Sequence, residues 1–124
     1  MANLLRAIAD DKSLILFNTI ALAGGQSDIL ISRLALTTKQ YYSRISALLK
    51  AGLIRRNNRQ YHLTSLGRIV YDAQLIIGKA INTFWKLKAI DSLEIDHMLP
   101  ANERNMIINT LIDNEEITKI LVRC

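Results

Sequence analysis

Apolar residues recur with helical spacing over most of the chain, broken at a few points by glycine, asparagine and one proline. Leu14, Ile15, Phe17, Ile20, Ala21 and Ala23 follow Asp10-Asp11. Acidic residues suit the positive end of a helix, so this pattern predicts a first helix over 10–23, stopped by Gly24-Gly25. Ser27 reads as the N-cap of a short second helix from Asp28 to Leu36, with Ile29, Leu30, Leu34 and Ala35 turned inward. Thr37 is the N-cap of a third helix reaching Ala51. Its apolar positions Tyr41, Ile45, Leu48 and Leu49 share one face, and Lys39, Gln40, Tyr42, Ser43, Ser46 and Lys50 lie outward. Tyr41 and Tyr42 are adjacent, so only Tyr41 is assigned to the core. Gly52 ends the helix where a positive φ is wanted.

Two helices joined by a tight polar connection, the second amphipathic, form a helix-turn-helix pattern. Leu53–Arg56 and Gln60–Leu63 are strand candidates around Asn57-Asn58-Arg59, and asparagine tolerates the left-handed conformations of tight hairpins. The hairpin carries basic residues at its tip. Alternation along a strand places Arg55 and Arg56 on opposite faces.

Thr64 or Ser65 caps a long fourth helix. Within it Leu66, Val70, Ala73, Ile77, Ala80, Phe84 and Leu87 recur at alternating steps of four and three, a heptad seam flanked by Ile69, Ile76, Thr83 and Ile90. The stripe is broader than one packing partner requires. It predicts cover for its own domain first and a second subunit farther along, with Ala73, Ile77, Ala80, Ile81, Phe84, Trp85 and Leu87 as dimerisation residues. Gly78, which costs roughly 1 kcal/mol against alanine inside a helix, marks a point of close helix approach. Pro100 opens a fifth helix over about 100–113, with Met106, Ile107, Thr110 and Leu111 on its apolar side. Asn114 breaks it, and Glu115–Val122 is the last helix. The expected organisation is a unit over 1–68 followed by helices over 64–124, together one compact domain, mainly α with a small β-hairpin.

Charge changes this picture. The formal net charge is +5, but residues 29–88 hold eleven basic and one acidic residue, while 89–124 hold three basic and seven acidic. The basic block covers the third helix and the hairpin, which points to a polyanion as partner. Asp91, Glu94 and Asp96 match no metal motif and are assigned to solubility or intersubunit pairing. The one cysteine, Cys124, excludes an intramolecular disulfide and a cysteine-cluster metal site. His62 and His97 are isolated and read as structural. No phosphate-binding glycine loop, metal-spaced set or nucleophile motif is present, so no cofactor and no enzymatic activity are expected. The N-terminus lacks a signal-peptide pattern, and the uncharged run from Ser13 to Ser27 falls below the roughly 18 apolar residues of a membrane span. A soluble cytoplasmic protein with no membrane partner is expected.

The run Thr37-Thr-Lys-Gln-Tyr-Tyr-Ser-Arg-Ile-Ser-Ala-Leu-Leu-Lys-Ala-Gly-Leu-Ile-Arg-Arg56 resembles the recognition helix and first wing strand of winged-helix transcriptional regulators. Leu48, Gly52, Leu53 and Ile54 fall where that class has its L-x-x-x-G-L-I ending. Tyr61-His-Leu-Thr-Ser-Leu-Gly-Arg68 resembles the second wing strand followed by L-T-x-x-G. The likeness is greatest to small archaeal members and covers about residues 10–90. It implies a winged helix-turn-helix that binds double-stranded DNA as a homodimer with the third helix in the major groove; the residue pattern adds the expectation of a long dimerisation helix and C-terminal helices after it. By position it implies that Thr38, Lys39, Gln40, Tyr42, Ser43 and Arg44 lie on or near the DNA face, and that Arg55, Arg56, Asn57, Asn58 and Arg59 form the wing. The hairpin is short, which favours backbone contact.

An α-helix fits the major groove, where Gln40 is suited to pair bidentately with adenine and Lys39 with guanine or phosphate. Tyr42 and Ser43 are suited to phosphates or bases, and Arg44 either to phosphate or to a partner within the protein. Two alternatives share the fold: a winged-helix protein–protein module in transcription machinery, and a non-specific nucleic-acid-binding protein. Burial or acid pairing of Lys39, Arg44 and the wing arginines would favour the first. The sequence names neither an operator nor a small-molecule effector.

Overall fold

The computed structural model describes residues 1–95 and 99–122. Asp96, His97 and Cys124 lie outside the described residues. The protein is mostly helical with a small antiparallel sheet, and it divides into two compact units, Met1–Asp72 and Ala73–Cys124. Among the described residues no helix is long and apolar enough to cross a membrane.

The first unit opens with α1 (Ala2–Ala7), a helix that the spacing does not predict. It is six residues long with no side-chain cap, too short to persist by propensity, and it owes its order to packing. Ala7 is buried, and Leu4 and Ile8 lie against the core. In α2 (Asp11–Ala23) Asp10 is the N-cap and accepts the Ser13 N–H at 3.2 Å. Ser13, Leu16, Phe17 and Ile20 form its buried line, one helical face. Gly24, at φ 63°, ends it.

Next come β1 (Gly25–Gln26) and α3 (Ser27–Leu34). Here the structure corrects the expected cap. Gln26, with no side-chain cap bond, precedes the helix, and Ser27 is its first residue. The Ser27 hydroxyl instead accepts the phenol proton of Tyr41 at 3.1 Å. Ala35 is not inward: it takes the left-handed conformation (φ 52°) that ends the helix and turns Leu36 into the core. Leu30 is buried as expected, while Ile29 is exposed and Ile31 replaces it against the core.

Helix α4 (Thr38–Lys50) begins with a complete capping box. The Thr37 hydroxyl accepts the Gln40 N–H, and the Gln40 Oε1 accepts the Thr37 N–H, both at 3.1 Å. Tyr41, Ile45 and Leu48 are buried, and Leu49, one residue round from Leu48, is exposed. The helix closes in a Schellman motif: Leu53 N–H reaches the Leu48 carbonyl, Gly52 N–H reaches that of Leu49, and Gly52 adopts φ 79°.

Strands β2 (Ile54–Asn57) and β3 (Gln60–Leu63) form the hairpin, with Ile54 opposite Leu63 and Asn57 opposite Gln60. Asn58 and Arg59 both have positive φ, as a two-residue type I′ turn requires. Strand β1 pairs along the other edge of β3, Gly25 opposite Tyr61, giving the order β1-β3-β2. The hairpin base is locked to α5 (Ser65–Asn82) by Thr64. Its hydroxyl donates to the Gly52 carbonyl and accepts the Gly67 N–H. A Cβ on Gly67 would sit 2.1 Å from the Leu53 carbonyl oxygen, so this approach needs glycine. Thr64 is therefore the cap, and the L-T-x-x-G pattern has a local mechanical cause.

The division between the units falls within α5, a few residues past the expected 64–68 overlap. The second unit holds the rest of α5 with α6 (Phe84–Ile95), α7 (Ala101–Leu111) and α8 (Glu115–Val122). The expected single long helix is interrupted at Thr83. The Ala80 carbonyl accepts both the Thr83 N–H and the Thr83 hydroxyl, a back-bonding pattern that bends helices. The heptad seam is also divided. Val70 packs on the first unit's core, while Ala80 and Leu87 join Ile76, Ile90, Ile108, Ile112 and Ile117 in the second. Ala80 and Leu87, expected at a dimer contact, are thus occupied within their own chain. Ala73, Ile77, Ile81, Phe84 and Trp85 are exposed. Gly78 faces open space, with nothing within 4 Å of a Cβ placed there. In α7 the buried line is Ile108 and the following Ile112; Met106 and Thr110 are exposed, contrary to expectation. Pro100 is the N-cap of α7, and Asn114 caps α8 by accepting the Glu116 and Ile117 N–H groups at 3.0 Å.

Candidate nucleic-acid interface

The free face of α4 begins with Thr38 and Lys39, both exposed, and continues through Tyr42 and Ser43. Tyr42 is half exposed, and its ring stands edge-on against that of Tyr41, centroids 5.0 Å apart. Tyr41 is itself fully buried and held by Ser27, so α3 and the core fix the position of an outward aromatic ring. Burial pushes the Tyr41 phenol above its ordinary value, with the Ser27 hydrogen bond pulling the other way, which keeps it a proton donor.

Two residues of the expected face are engaged within the protein. The Gln40 Oε1 is held in the capping box, so bidentate pairing with adenine requires that box to open. The Arg44 Nη2 lies 3.2 Å from Asp10 Oδ2, and its Nη1 donates to the Gln40 carbonyl at 3.5 Å. Its Nε is buried without a hydrogen-bond partner. Hydrogen bonding from Ser13 chiefly holds the Asp10 carboxyl below the usual range; burial opposes it, and the Arg44 hydrogen bond and charge add lesser lowering effects.

The hairpin separates its basic residues by face. Arg56 lies opposite Tyr61, and Arg55 opposite His62, and directly paired residues project to the same side of a sheet. Arg56 and Arg59 line a cavity of about 280 Å³ together with Tyr42, Gln26, Ser27 and Asp28. The hairpin turn and the outward aromatic of α4 thus meet at one place. Asp28 lines this cavity without an ion pair to either arginine. Asn58 is exposed at the turn. Arg55 and Asn57 line a different cavity with His62 and Arg68, against the C-terminal end of α2.

Gln26, Ser27 and Asp28 join the site although no sequence pattern assigns them to it. They arrive through the pairing of β1 with β3, a contact across some 35 positions that no local pattern signals. Arg68, on the first turn of α5, lies in the basic block without a sequence signal that assigns it to a site. No protein-family model, curated protein or solved structure matches the chain.

Proposed function

We propose that the first unit is a winged helix-turn-helix that binds double-stranded DNA, and that the protein acts in the cytoplasm as a homodimeric transcriptional regulator. The observation that carries the reading is the shared cavity of Tyr42, Arg56 and Arg59, which joins the free face of α4 to the basic side of the hairpin. With α4 in the major groove, Thr38, Lys39, Tyr42 and Ser43 reach base edges and phosphates. Arg56, Asn58 and Arg59 follow the backbone beside it. Gln40 and Arg44 serve as positioning residues, one by starting the helix squarely and the other by tying it to α2.

A protein–protein module would favour a recognition surface whose cations are neutralised internally. Of the residues that discriminate, only Arg44 is paired with an acid; Lys39, Arg55, Arg56 and Arg59 are exposed. The exposed apolar residues Ile77, Ile81, Phe84 and Trp85 are assigned to contact with a second copy. A symmetric dimer presents two recognition helices and favours a palindromic site.

In vitro selection from random duplex DNA, run at two salt concentrations, tests the reading. Enrichment of a palindrome, with affinity falling steeply as salt rises, is expected. A bound pool without sequence preference would assign the protein to general nucleic-acid coating. A flat salt response would remove the phosphate contacts altogether.

A further inference from the structure

The hairpin has a second basic face that the DNA reading does not use. Arg55, Asn57 and His62 line one wall of a cavity of about 470 Å³, and Arg68 from α5 lines it too. Arg55 and His62 are directly paired in the ladder, so their side chains leave the sheet together. Ala21, Leu63 and Gly24 give the cavity an apolar portion. Gly24 has φ +63°, which favours glycine at this turn, while a Cβ there would only make ordinary van der Waals contact with the His62 ring at 3.5 Å.

The charge is one-sided. Among the described residues no acidic side chain lines this cavity, and neither Arg55 nor Arg68 has an ion-pair partner. The Arg56–Arg59 cavity, by contrast, includes Asp28. Strand alternation turns Arg55 and Asn57 away from the side on which Arg56 lines the cavity with Tyr42, so a duplex lying along α4 leaves them unengaged.

We propose that this cavity binds a small phosphomonoester with a flat carbon body. Its phosphate is held by Arg55 and Arg68, and its body rests against Ala21, Leu63 and His62. Two guanidinium groups match a phosphate carrying about −1.5 to −2 charges better than a carboxylate carrying one, and their forked donors suit its oxygens. The volume falls within the roughly 300–1,000 Å³ of small-ligand sites. The proposal stands apart from the DNA reading, because its residues are on the other face of the hairpin.

Calorimetric titration of the full chain with AMP, inorganic phosphate and adenosine tests it. AMP is expected to bind, phosphate more weakly, and adenosine least. R55A/R68A should weaken AMP at least about tenfold, a loss of about 1.4 kcal/mol. R68K, which keeps the charge but loses the fork, should fall between. R56A/R59A should leave AMP binding unchanged, whether or not the chain binds DNA. Circular dichroism establishes that each variant is folded. Absence of binding by AMP and phosphate at about 1 mM, or AMP binding indifferent to R55A/R68A, overturns the proposal. So does loss of duplex binding in R55A/R68A as large as in R56A/R59A with no AMP binding, which would return these arginines to the DNA backbone.

Discussion

Arg44, midway along α4, is bound to Asp10, the residue that caps α2: Nη2 stands 3.2 Å from Oδ2. One carboxylate thus starts one helix and anchors the helix that carries the proposed reading face. Removing the cap costs about 1 kcal/mol and a partly exposed ion pair adds about 0–1. Asp10→Ala is therefore expected to destabilise by about 1–2 kcal/mol. Asp10→Asn keeps a capping oxygen, loses the charge, and should cost about 1 kcal/mol or less. Urea denaturation of Asp10→Asn, Arg44→Met and the double variant gives the coupling. The sign with pH follows from the lowered Asp10 pKa. The contribution is present above the unfolded carboxyl range, and is lost as pH falls through the lower folded value. A denaturation midpoint followed from neutral to acid pH should fall less steeply for Asp10→Asn than for the parent chain.

Gly67 and Gly78 stand on the same helix and give opposite expectations for the same substitution. A Cβ at Gly67 meets the Leu53 carbonyl at 2.1 Å, a backbone atom at the hairpin base held by the Thr64 bonds. Gly67→Ala should destabilise by about 2–3 kcal/mol or more by forcing α5 off the hairpin. Gly78 has open space around it, so Gly78→Ala should stabilise by about 0.5–1 kcal/mol through helix propensity. Thermal unfolding of the two variants reads both signs. A neutral Gly67→Ala would show that the hairpin base is not packed as described.

Local signals carried α4 well. The Thr37–Gln40 box, the Tyr41–Ile45–Leu48 line and the Gly52 stop all act within one turn of the residues that produce them. The hairpin was legible for the same reason, its turn needing two left-handed residues at Asn58 and Arg59. Long-range effects were hidden. The β1–β3 pairing, which brings Gln26, Ser27 and Asp28 to the site, depends on two short segments distant in sequence. The heptad seam was visible as a pattern but not in its division. Ile76 and Ile90, read as flanking residues, pack in the second core, while Ile77 and Phe84 of the seam itself are exposed. A broad apolar stripe does not disclose which of its edges the C-terminal helices cover.

Arg59 is a long-chain residue at φ 66°, a conformation that costs L-residues about 1–2 kcal/mol. Glycine would relieve most of that, whereas arginine places a cation in the cavity lined by Tyr42 and Arg56. Arg59→Gly is expected to raise stability by about 0.5–1 kcal/mol while weakening duplex binding and lowering the salt slope by about one. Fluorescence anisotropy across a salt series, beside a melting curve, separates the two effects. A stabilised variant with unchanged affinity would take Arg59 out of the interface.

The second unit exposes the apolar side chains of Ile77, Ile81, Phe84 and Trp85. Ile81 is 67% exposed and Trp85 66%, so charge placed there costs the isolated unit little. Lys86 lies 5.5 Å from the centre of the Trp85 ring and Lys88 5.3 Å from that of Phe84, so a partner must pack beside these cations. Leu87 packs against the inner core, and Leu87→Asp should unfold the unit. Ile81→Asp/Trp85→Asp should instead leave the circular dichroism spectrum intact and shift light scattering from about 28 kDa, twice the chain's 14.0 kDa, to a monomer. The double variant should then bind a palindromic duplex with the affinity of one half-site, because two weakly binding units gain from being linked only while the linkage holds. A parent chain that already sizes as a monomer would leave this face without the partner assigned to it. A double variant that stays dimeric would move the contact elsewhere on the chain.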